Sequence, residues 1–140
     1  MPLEEHCRYR YLLNARGVAA SFRYKHLFLC GSLVFQVGEE WQEFFYPALL
    51  PWVHYIPVRD DLADAEELLL WARENDELAR RIAENGQRHV RRLLQLSNVR
   101  DYWRELLLGY AKLQRWDTKV NPDFSEIHEA GFRVVDKASS

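Results

Sequence analysis

The sequence predicts an α/β fold, with a small parallel sheet followed by a helical C-terminal layer. In the N-terminal part, short runs of branched and aromatic residues alternate with a turn of small residues and a helical pattern. From Asp61 onward, apolar residues recur at the spacing of amphipathic helices. The chain has 140 residues, 48% of them hydrophobic, which is enough for one domain with a sizeable core.

The first elements predict a strand, a turn and a helix. Residues 8–13, RYRYLL, combine aromatic and branched side chains and predict the first strand, and a turn over 14–20 follows. Ser21 is the predicted N-cap of a helix over 22–30, and Gly31 ends it at the C-cap. One face of this helix is predicted to carry Phe22, His26 and Leu29.

Two further strands are predicted. Residues 32–37, SLVFQV, complete a βαβ unit, whose strands are expected to be parallel with a right-handed crossover. Residues 38–53 are rich in aromatic residues and prolines and predict a short helix and a loop. Residues 54–58 predict a third strand, which Pro57 places at an edge or a strand end.

The second half of the chain predicts three helical stripes, with Asp61 as the first N-cap. The first stripe is Ala65, Leu68, Leu69 and Ala72. After a break at Asn75 and Asp76, the second is Leu78, Ala79, Ile82, Ala83, Val90, Leu93 and Leu94. The third is Val99, Tyr102, Trp103, Leu106, Leu107, Tyr110 and Leu113. Residues 117–140 predict a loosely held tail.

Composition excludes several classes of protein. A net charge of -2 with 29% charged residues argues against nucleic-acid binding, and no apolar run is long enough to insert into a membrane. The N-terminal MPLEEHCRYR lacks an apolar core and is not expected to be a signal peptide, and VVDKASS is not a retention signal. The five histidines are not spaced as metal ligands, and His26 is predicted to be packed in the core rather than to bind a metal.

The turn in LLNARGVAASFRYKHLFLCGS has the residue types of an anion site. Gly17, Ala19 and Ala20 would let a ligand approach the backbone, and Ser21 would cap the helix or donate to a phosphate. Arg23 opposes the helix dipole in the first turn, and a bound diphosphate would remove that conflict. The alternative is a turn whose small residues serve helix–sheet packing and whose arginines are solvated.

A long stretch of the chain resembles a known family. CRYRYLLNARGVAASFRYKHLFLCGSLVF, then EEWQEFFYPALLPWVHYIPV and NGQRHVRRLLQ with a later YW, closely resemble the C-terminal half of Rumi-type protein O-glucosyltransferases, in the capsule-associated glycosyltransferase family. The resemblance covers roughly residues 4–116. It implies a GT-B architecture of two Rossmann-like halves, of which residues 1–116 form the nucleotide-sugar-binding half of a two-domain enzyme.

The resemblance also implies a reaction and a compartment. The reaction would be inverting transfer of glucose, or in some members xylose, from the uridine diphosphate (UDP) sugar to a serine of a folded EGF-like repeat, as in Notch-type receptors. The resemblance also implies that the protein is located in the lumen of the endoplasmic reticulum and that the reaction requires no metal or other cofactor. The general base would be an aspartate of the N-terminal half, so no catalytic residue is assigned here. The fragment alone is therefore expected to be inactive.

Residue by residue, the family's donor-contacting run falls on Val18, Ala19, Ala20, Ser21 and Phe22. Arg23 matches an arginine that faces the diphosphate, whereas Arg16 is interpreted as structural or solvent-facing. Cys7 and Cys30 match a disulfide pair, with two free thiols as the alternative for a cytosolic protein. Asp101 replaces a family cysteine, so a bridge to the other half is expected to be lost.

Other interpretations stay open beside this one. Glu39, Glu40 and Glu43 are interpreted as solvated loop acids, although the first two are candidates for a ribose contact. An aromatic group is predicted to be core rather than a stacking surface: Trp41, Phe44, Phe45, Tyr46 and Trp52. The alternative function is a non-catalytic nucleotide-sugar-binding or interaction module. A third is a transferase of the same family with another donor sugar or a carbohydrate acceptor.

Overall fold

The computed structural model of the chain describes residues 2–116 and Lys119, so the predicted tail otherwise lies outside the described residues. The chain divides into two compact units, one ending at Tyr102 and the other beginning at Trp103. The first unit contains the sheet and the helices that cover it. In the described residues, no helix is long and apolar enough to span a membrane.

The sheet has three short parallel strands in the described part of the chain. They are β1 (Tyr11–Ala15), β2 (Leu33–Val37) and β3 (Ile56–Val58), in the order β1-β2-β3. Tyr11 pairs with Leu33, and Phe35 with Ile56. The parallel pairing predicted for the first two strands is confirmed. The strand containing Pro57 lies at an edge, where the missing N–H is tolerated.

The predicted bounds of the first strand, 8–13, are wrong. Leu3–Arg8 is a 3-10 helix, and β1 begins at Tyr11 and continues through Asn14, which the sequence pattern assigned to the turn. Asn14 pairs in register with Gln36 of β2, and their side-chain amides are hydrogen-bonded to each other. A buried amide with such a partner can occupy a strand, because its polar atoms are satisfied.

The α-helices of the described residues are α1 (Tyr24–Leu29), α2 (Ala65–Glu74), α3 (Asp76–Leu93) and α4 (Leu96–Ala111), and Tyr46–Ala48 is a short 3-10 helix. The predicted break at Asn75 is confirmed, since its ψ of 49° lies outside the helical range. Asp61 is not the N-cap of α2, which is Asp64. The Asp61 carboxylate instead accepts a hydrogen bond from the N–H of Ala63.

The first helix also differs from its prediction. α1 has six residues rather than the whole of 22–30, and its N-cap is Arg23, not Ser21. Gly31 follows the C-cap residue Cys30 with a φ of 72°, a conformation that glycine adopts without strain, and so ends the helix as predicted.

The predicted inner face of α1 is the wrong face. Phe22 and Leu29 are exposed, and His26 lies next to Phe22 with ring centroids 5.3 Å apart. The buried face of α1 consists instead of Tyr24, Leu27 and Phe28.

The core lies on both faces of the sheet, so that β2 is buried along its whole length. One face packs against α1, through Leu12, Tyr24, Leu27, Phe28, Val34, Phe45, Tyr46, Leu49, Tyr55 and Val90. The other packs against α2 and α3, through Leu33, Phe35, Val37, Ile56, Val58, Ala72, Ala79, Ile82 and Ala83. Layers on both faces are typical of parallel sheets.

The helical stripes of α2 and α3 are confirmed in part. Ala72, Ala79, Ile82, Ala83 and Val90 are buried, but Leu69 and Leu78 are exposed. Gly86 allows α3 to pack closely against His54 and Phe28, because a Cβ there would lie 2.4 Å from the carbonyl oxygen of His54 and 2.9 Å from the Phe28 ring. No side chain of α4 is buried, so the third predicted stripe does not form a core face within the described residues.

Candidate functional site

Residues 18–23 form a loop after the carboxyl end of β1. They lie between Ala15, the last residue of the strand, and Tyr24, the first residue of α1. All three strands are parallel, so their carboxyl ends meet at one edge of the sheet. In open α/β sheets, this edge is where ligands bind.

A buried chain of polar side chains holds the loop to the sheet. The Ser21 hydroxyl donates to Asn14 Oδ1 at 2.6 Å, and Asn14 Nδ2 donates to Gln36 Oε1 at 2.6 Å. Gln36 Nε2 then donates to the carbonyl oxygens of Gly38 at 2.7 Å and Val37 at 3.2 Å. The chain thus links the loop to the end of β2.

The partners fix the direction of every bond in this chain. The two carbonyl oxygens only accept, so the Gln36 amide must present its nitrogen to them and its oxygen to Asn14. Asn14 must then present its own oxygen to Ser21, whose hydroxyl is the remaining donor. The Ser21 proton is therefore used in the bond to Asn14, so donating it to a phosphate would cost Ser21 that bond.

The upper surface of loop 18–23 faces solvent. The Val18 side chain is 98% exposed and Phe22 67% exposed, and a Cβ on Gly17 would meet no atom within 4 Å. Ala19 is exposed as well. The alternative that these small residues serve helix–sheet packing therefore fails for Gly17 and Ala19. The space around the backbone suits close approach of a ligand.

Arg23 is the cation at the end of this loop. It is exposed, and no carboxylate of the described residues lies within 4 Å of its guanidinium. α1 has only six residues, so its dipole is weaker than the predicted helix would give. Attraction of an anion would thus depend on the Arg23 charge and the loop N–H groups.

Several other charged residues near this edge have partners. Arg16 contacts Glu40 at 3.2 Å with both side chains largely in solvent, in line with its interpretation as solvent-facing. Glu39 is an exposed loop acid, as predicted, and its carboxylate also accepts a hydrogen bond from the Tyr55 hydroxyl at 2.9 Å. Glu43 contacts Lys25 at 3.0 Å.

A cleft of about 210 Å³ lies next to the polar chain. It is lined by Tyr24, Gln36, Glu39, Gln42, Tyr46, Pro47, Leu49, Pro51 and Tyr55, and by none of residues 18–23. Burial raises the pKa of Tyr46 to about 12. Burial and the hydrogen bond to Glu39 raise the pKa of Tyr55 as well. Both phenols therefore remain protonated at neutral pH.

The aromatic group predicted as core is divided. Phe45 and Tyr46 are buried, as predicted, but Trp41, Phe44 and Trp52 are at least one third exposed. Asn14 and Gln36 also belong to the site, although the sequence pattern did not predict it. The signal was a single amide residue inside each of two apolar strands, which come into register once the strands pair.

Cys7 and Cys30 form a disulfide with Cα atoms 4.7 Å apart. The bridge joins the 3-10 helix to the C-cap of α1, so the free-thiol alternative does not describe this structure. Over the described residues, no group of three or more His, Cys, Asp or Glu side chains is placed to hold a metal ion.

Comparison with known proteins matches residues 1–137 to glycosyl transferase family 90. Protein O-glucosyltransferase 1 of Rattus norvegicus is 54% identical over 89% of this chain and 32% of its own length. The Homo sapiens protein of the same name is 53% identical over the same shares. An O-glucosyltransferase rumi homolog of Aedes aegypti is 55% identical over 90% of this chain and 32% of its own. The chain thus spans about a third of these relatives.

Proposed function

The chain belongs to glycosyl transferase family 90, and on that premise we propose that it forms the donor-binding half of a protein O-glucosyltransferase. In this proposal it is the Rossmann-like C-terminal half of a GT-B enzyme. Its small parallel sheet with helices on both faces is compatible with that architecture. The proposal depends on one observation: loop 18–23 exposes Val18 and Phe22 to solvent, while the Ser21 hydroxyl is hydrogen-bonded to Asn14 of the sheet.

The proposed donor is a UDP sugar, glucose or xylose. The diphosphate would lie over Val18, Ala19, Ala20, Ser21 and Phe22, where Val18 and Ala19 are exposed and the space around Gly17 is open. Arg23 would neutralise the charge that develops on the departing diphosphate, which is where electrostatic stabilisation lowers the barrier. The buried chain from Ser21 to Gln36 would hold the loop in place without occupying its solvent side.

The acceptor chemistry is proposed to come from outside this chain. A serine hydroxyl of a folded EGF-like repeat would attack the anomeric carbon with inversion, and a base in the other half would accept its proton. Neither a metal nor another cofactor is part of the proposal. The Cys7–Cys30 disulfide supports an oxidising compartment such as the lumen of the endoplasmic reticulum.

The second candidate is a non-catalytic nucleotide-sugar-binding or interaction module. The exposed apolar side chains of the second unit favour an interaction role, and they include Leu106, Leu107, Leu108 and Tyr110. Turnover of UDP-glucose by this chain together with the family's N-terminal half would support the enzyme. Donor binding without turnover in that pair would support the module.

Calorimetric titration of the chain with UDP and UDP-glucose tests the donor site. We expect saturable binding that Arg23→Ala weakens, while Arg8→Ala, which removes an exposed arginine from the 3-10 helix, serves as the charge-matched control. Equal affinities in both variants would contradict the assignment of Arg23. The chain alone is expected not to transfer sugar, since positioning and proton abstraction need the other half.

A further inference from the structure

A second cleft, of about 430 Å³, lies between α3 and the residues that precede β3. It is lined by Val53, His54, Asn85, Arg88, His89 and Arg92. The four helical residues share one face of α3, since they are three or four positions apart. The lining contains two arginines and two histidines but no carboxylate.

Hydrogen bonds fix the protonation of both histidines. The carbonyl oxygen of Ala48 lies 2.8 Å from His89 Nε2, so this nitrogen carries the proton and Nδ1 accepts from Arg92 at 3.3 Å. His54 Nδ1 accepts the N–H of Leu50 at 2.9 Å, so its proton is on Nε2. Both rings are therefore neutral, which allows them to stack with centroids 4.3 Å apart.

This arrangement leaves a donor without an acceptor. The Nε2–H of His54 has no hydrogen-bond partner among the residues that the structure describes. Burial, and then the neighbouring His89 and Arg92, lower the pKa of His54, in agreement with a neutral ring. His54 is thus a neutral N–H donor in the wall of the cleft.

The two guanidinium groups also lack anionic partners. Arg88 donates to the Asn85 side-chain oxygen at 2.8 Å and Arg92 to His89, and both acceptors are neutral. No carboxylate in the described part of the chain lies within 4 Å of either arginine. Like charges one helical turn apart repel each other, and a bound anion would relieve that repulsion.

We propose that this cleft binds a tetrahedral oxyanion, a phosphate or sulfate group, through Arg88, Arg92 and the His54 Nε2–H. Arginine presents its N–H groups in a planar fork that matches two oxygens of such a group. A divalent metal does not fit this arrangement, because both Nδ1 atoms are occupied as acceptors and both Nε2 atoms carry protons. The site is separate from loop 18–23, none of whose residues lines the cleft.

The test is an NMR titration of the whole chain with sulfate and, in a second arm, with a sulfated disaccharide. We expect saturable shifts of the His54 ring and the amides of residues 85–92, with a Kd for sulfate on the order of 1 mM. Comparable affinities for sulfate and for the disaccharide would assign the site to a free oxyanion. Binding of the disaccharide at least tenfold tighter than that of sulfate would assign it to a sulfated sugar. Amides of residues 18–23 report the proposed donor site separately in the same spectra.

Matched variants decide whether the cleft itself binds. Arg88→Gln with Arg92→Gln should weaken binding more than tenfold, while the new amide at position 92 can still donate to His89. The variant with both arginines replaced by lysine should fold like the wild type and recover only part of the affinity. Arg91→Gln removes an exposed arginine that does not line the cleft and should change the affinity less than twofold. Absence of saturable shifts, or equal losses in all three proteins, would overturn the proposal.

Discussion

Two irregular segments, the loop over 18–23 and the stretch from Tyr46 to His54, are held in opposite ways. The loop exposes Val18 and Phe22 and is anchored to β1 by the Ser21 hydroxyl. The stretch from Tyr46 to His54 buries Tyr46 and Leu49 in the core and is hydrogen-bonded to α3 and to itself by two histidines. Apolar side chains that are exposed on a loop held by a buried hydrogen bond indicate a ligand-binding surface. Buried apolar side chains, as in the stretch from Tyr46 to His54, indicate packing.

The largest effect is expected where the loop's anchor is removed. Asn14→Leu leaves the Ser21 hydroxyl and the Gln36 side-chain oxygen buried without a partner, at about 2 kcal/mol each, so the free energy of unfolding should fall by about 4 kcal/mol. Binding of UDP should be lost even under conditions where the variant remains folded. Urea denaturation and titration measure the two effects.

Leu13→Ala is the control for Asn14→Leu, because Leu13 is on the same strand but half-exposed. It should lower the free energy of unfolding by less than about 1 kcal/mol and leave UDP affinity unchanged. An Asn14→Leu protein as stable as Leu13→Ala would show that the buried chain does not hold the loop.

The disulfide should have the next largest effect, and it acts on stability alone. Cys7→Ser with Cys30→Ser opens a covalent loop between cysteines 23 positions apart, which should lower the free energy of unfolding by about 3 kcal/mol. Loop 18–23 keeps its anchor to Asn14, so UDP affinity should remain within a factor of about three. A loss of affinity as large as that of Asn14→Leu would mean that the bridge, rather than the buried chain, positions the loop.

Arg23 tests the solvent side of the loop. Arg23→Ala removes a charge-assisted hydrogen bond to the diphosphate, so UDP affinity should fall by roughly 10- to 100-fold, and Arg23→Lys should recover part of it. The melting temperature should barely change, because the side chain is exposed and opposes the dipole of α1. Unchanged affinity together with a clearly lower melting temperature would assign Arg23 a structural role instead.

The sequence predicted the parallel βαβ unit and the break at Asn75, because short apolar runs and glycine signals are local. It missed the role of Asn14, because a polar residue after an apolar run looks like a turn until the pairing with Gln36 is known. It placed Ser21 at a helix start, although α1 begins at Tyr24 and the Ser21 hydroxyl bonds to Asn14 of β1. Periodicity predicted Leu78 as buried, although tertiary packing leaves it exposed.

The smallest effect is expected in the second segment, and it is a dependence on pH. The pKa of His54 is lowered by folding from its ordinary value of 6.5, so between the two values the unfolded chain binds a proton that the folded chain does not. The contribution of His54 to stability is therefore complete above pH 6.5 and is lost as the pH falls toward the folded-state pKa.

His54→Asn keeps an oxygen to accept the Leu50 N–H but does not titrate, so its free energy of unfolding should change less between pH 7 and pH 5 than that of the wild type. His6→Asn leaves every contact of His54 intact and should retain the wild-type slope. Identical slopes in all three proteins would show that folding does not lower the pKa of His54, and the stretch from Tyr46 to His54 would then not be held as described.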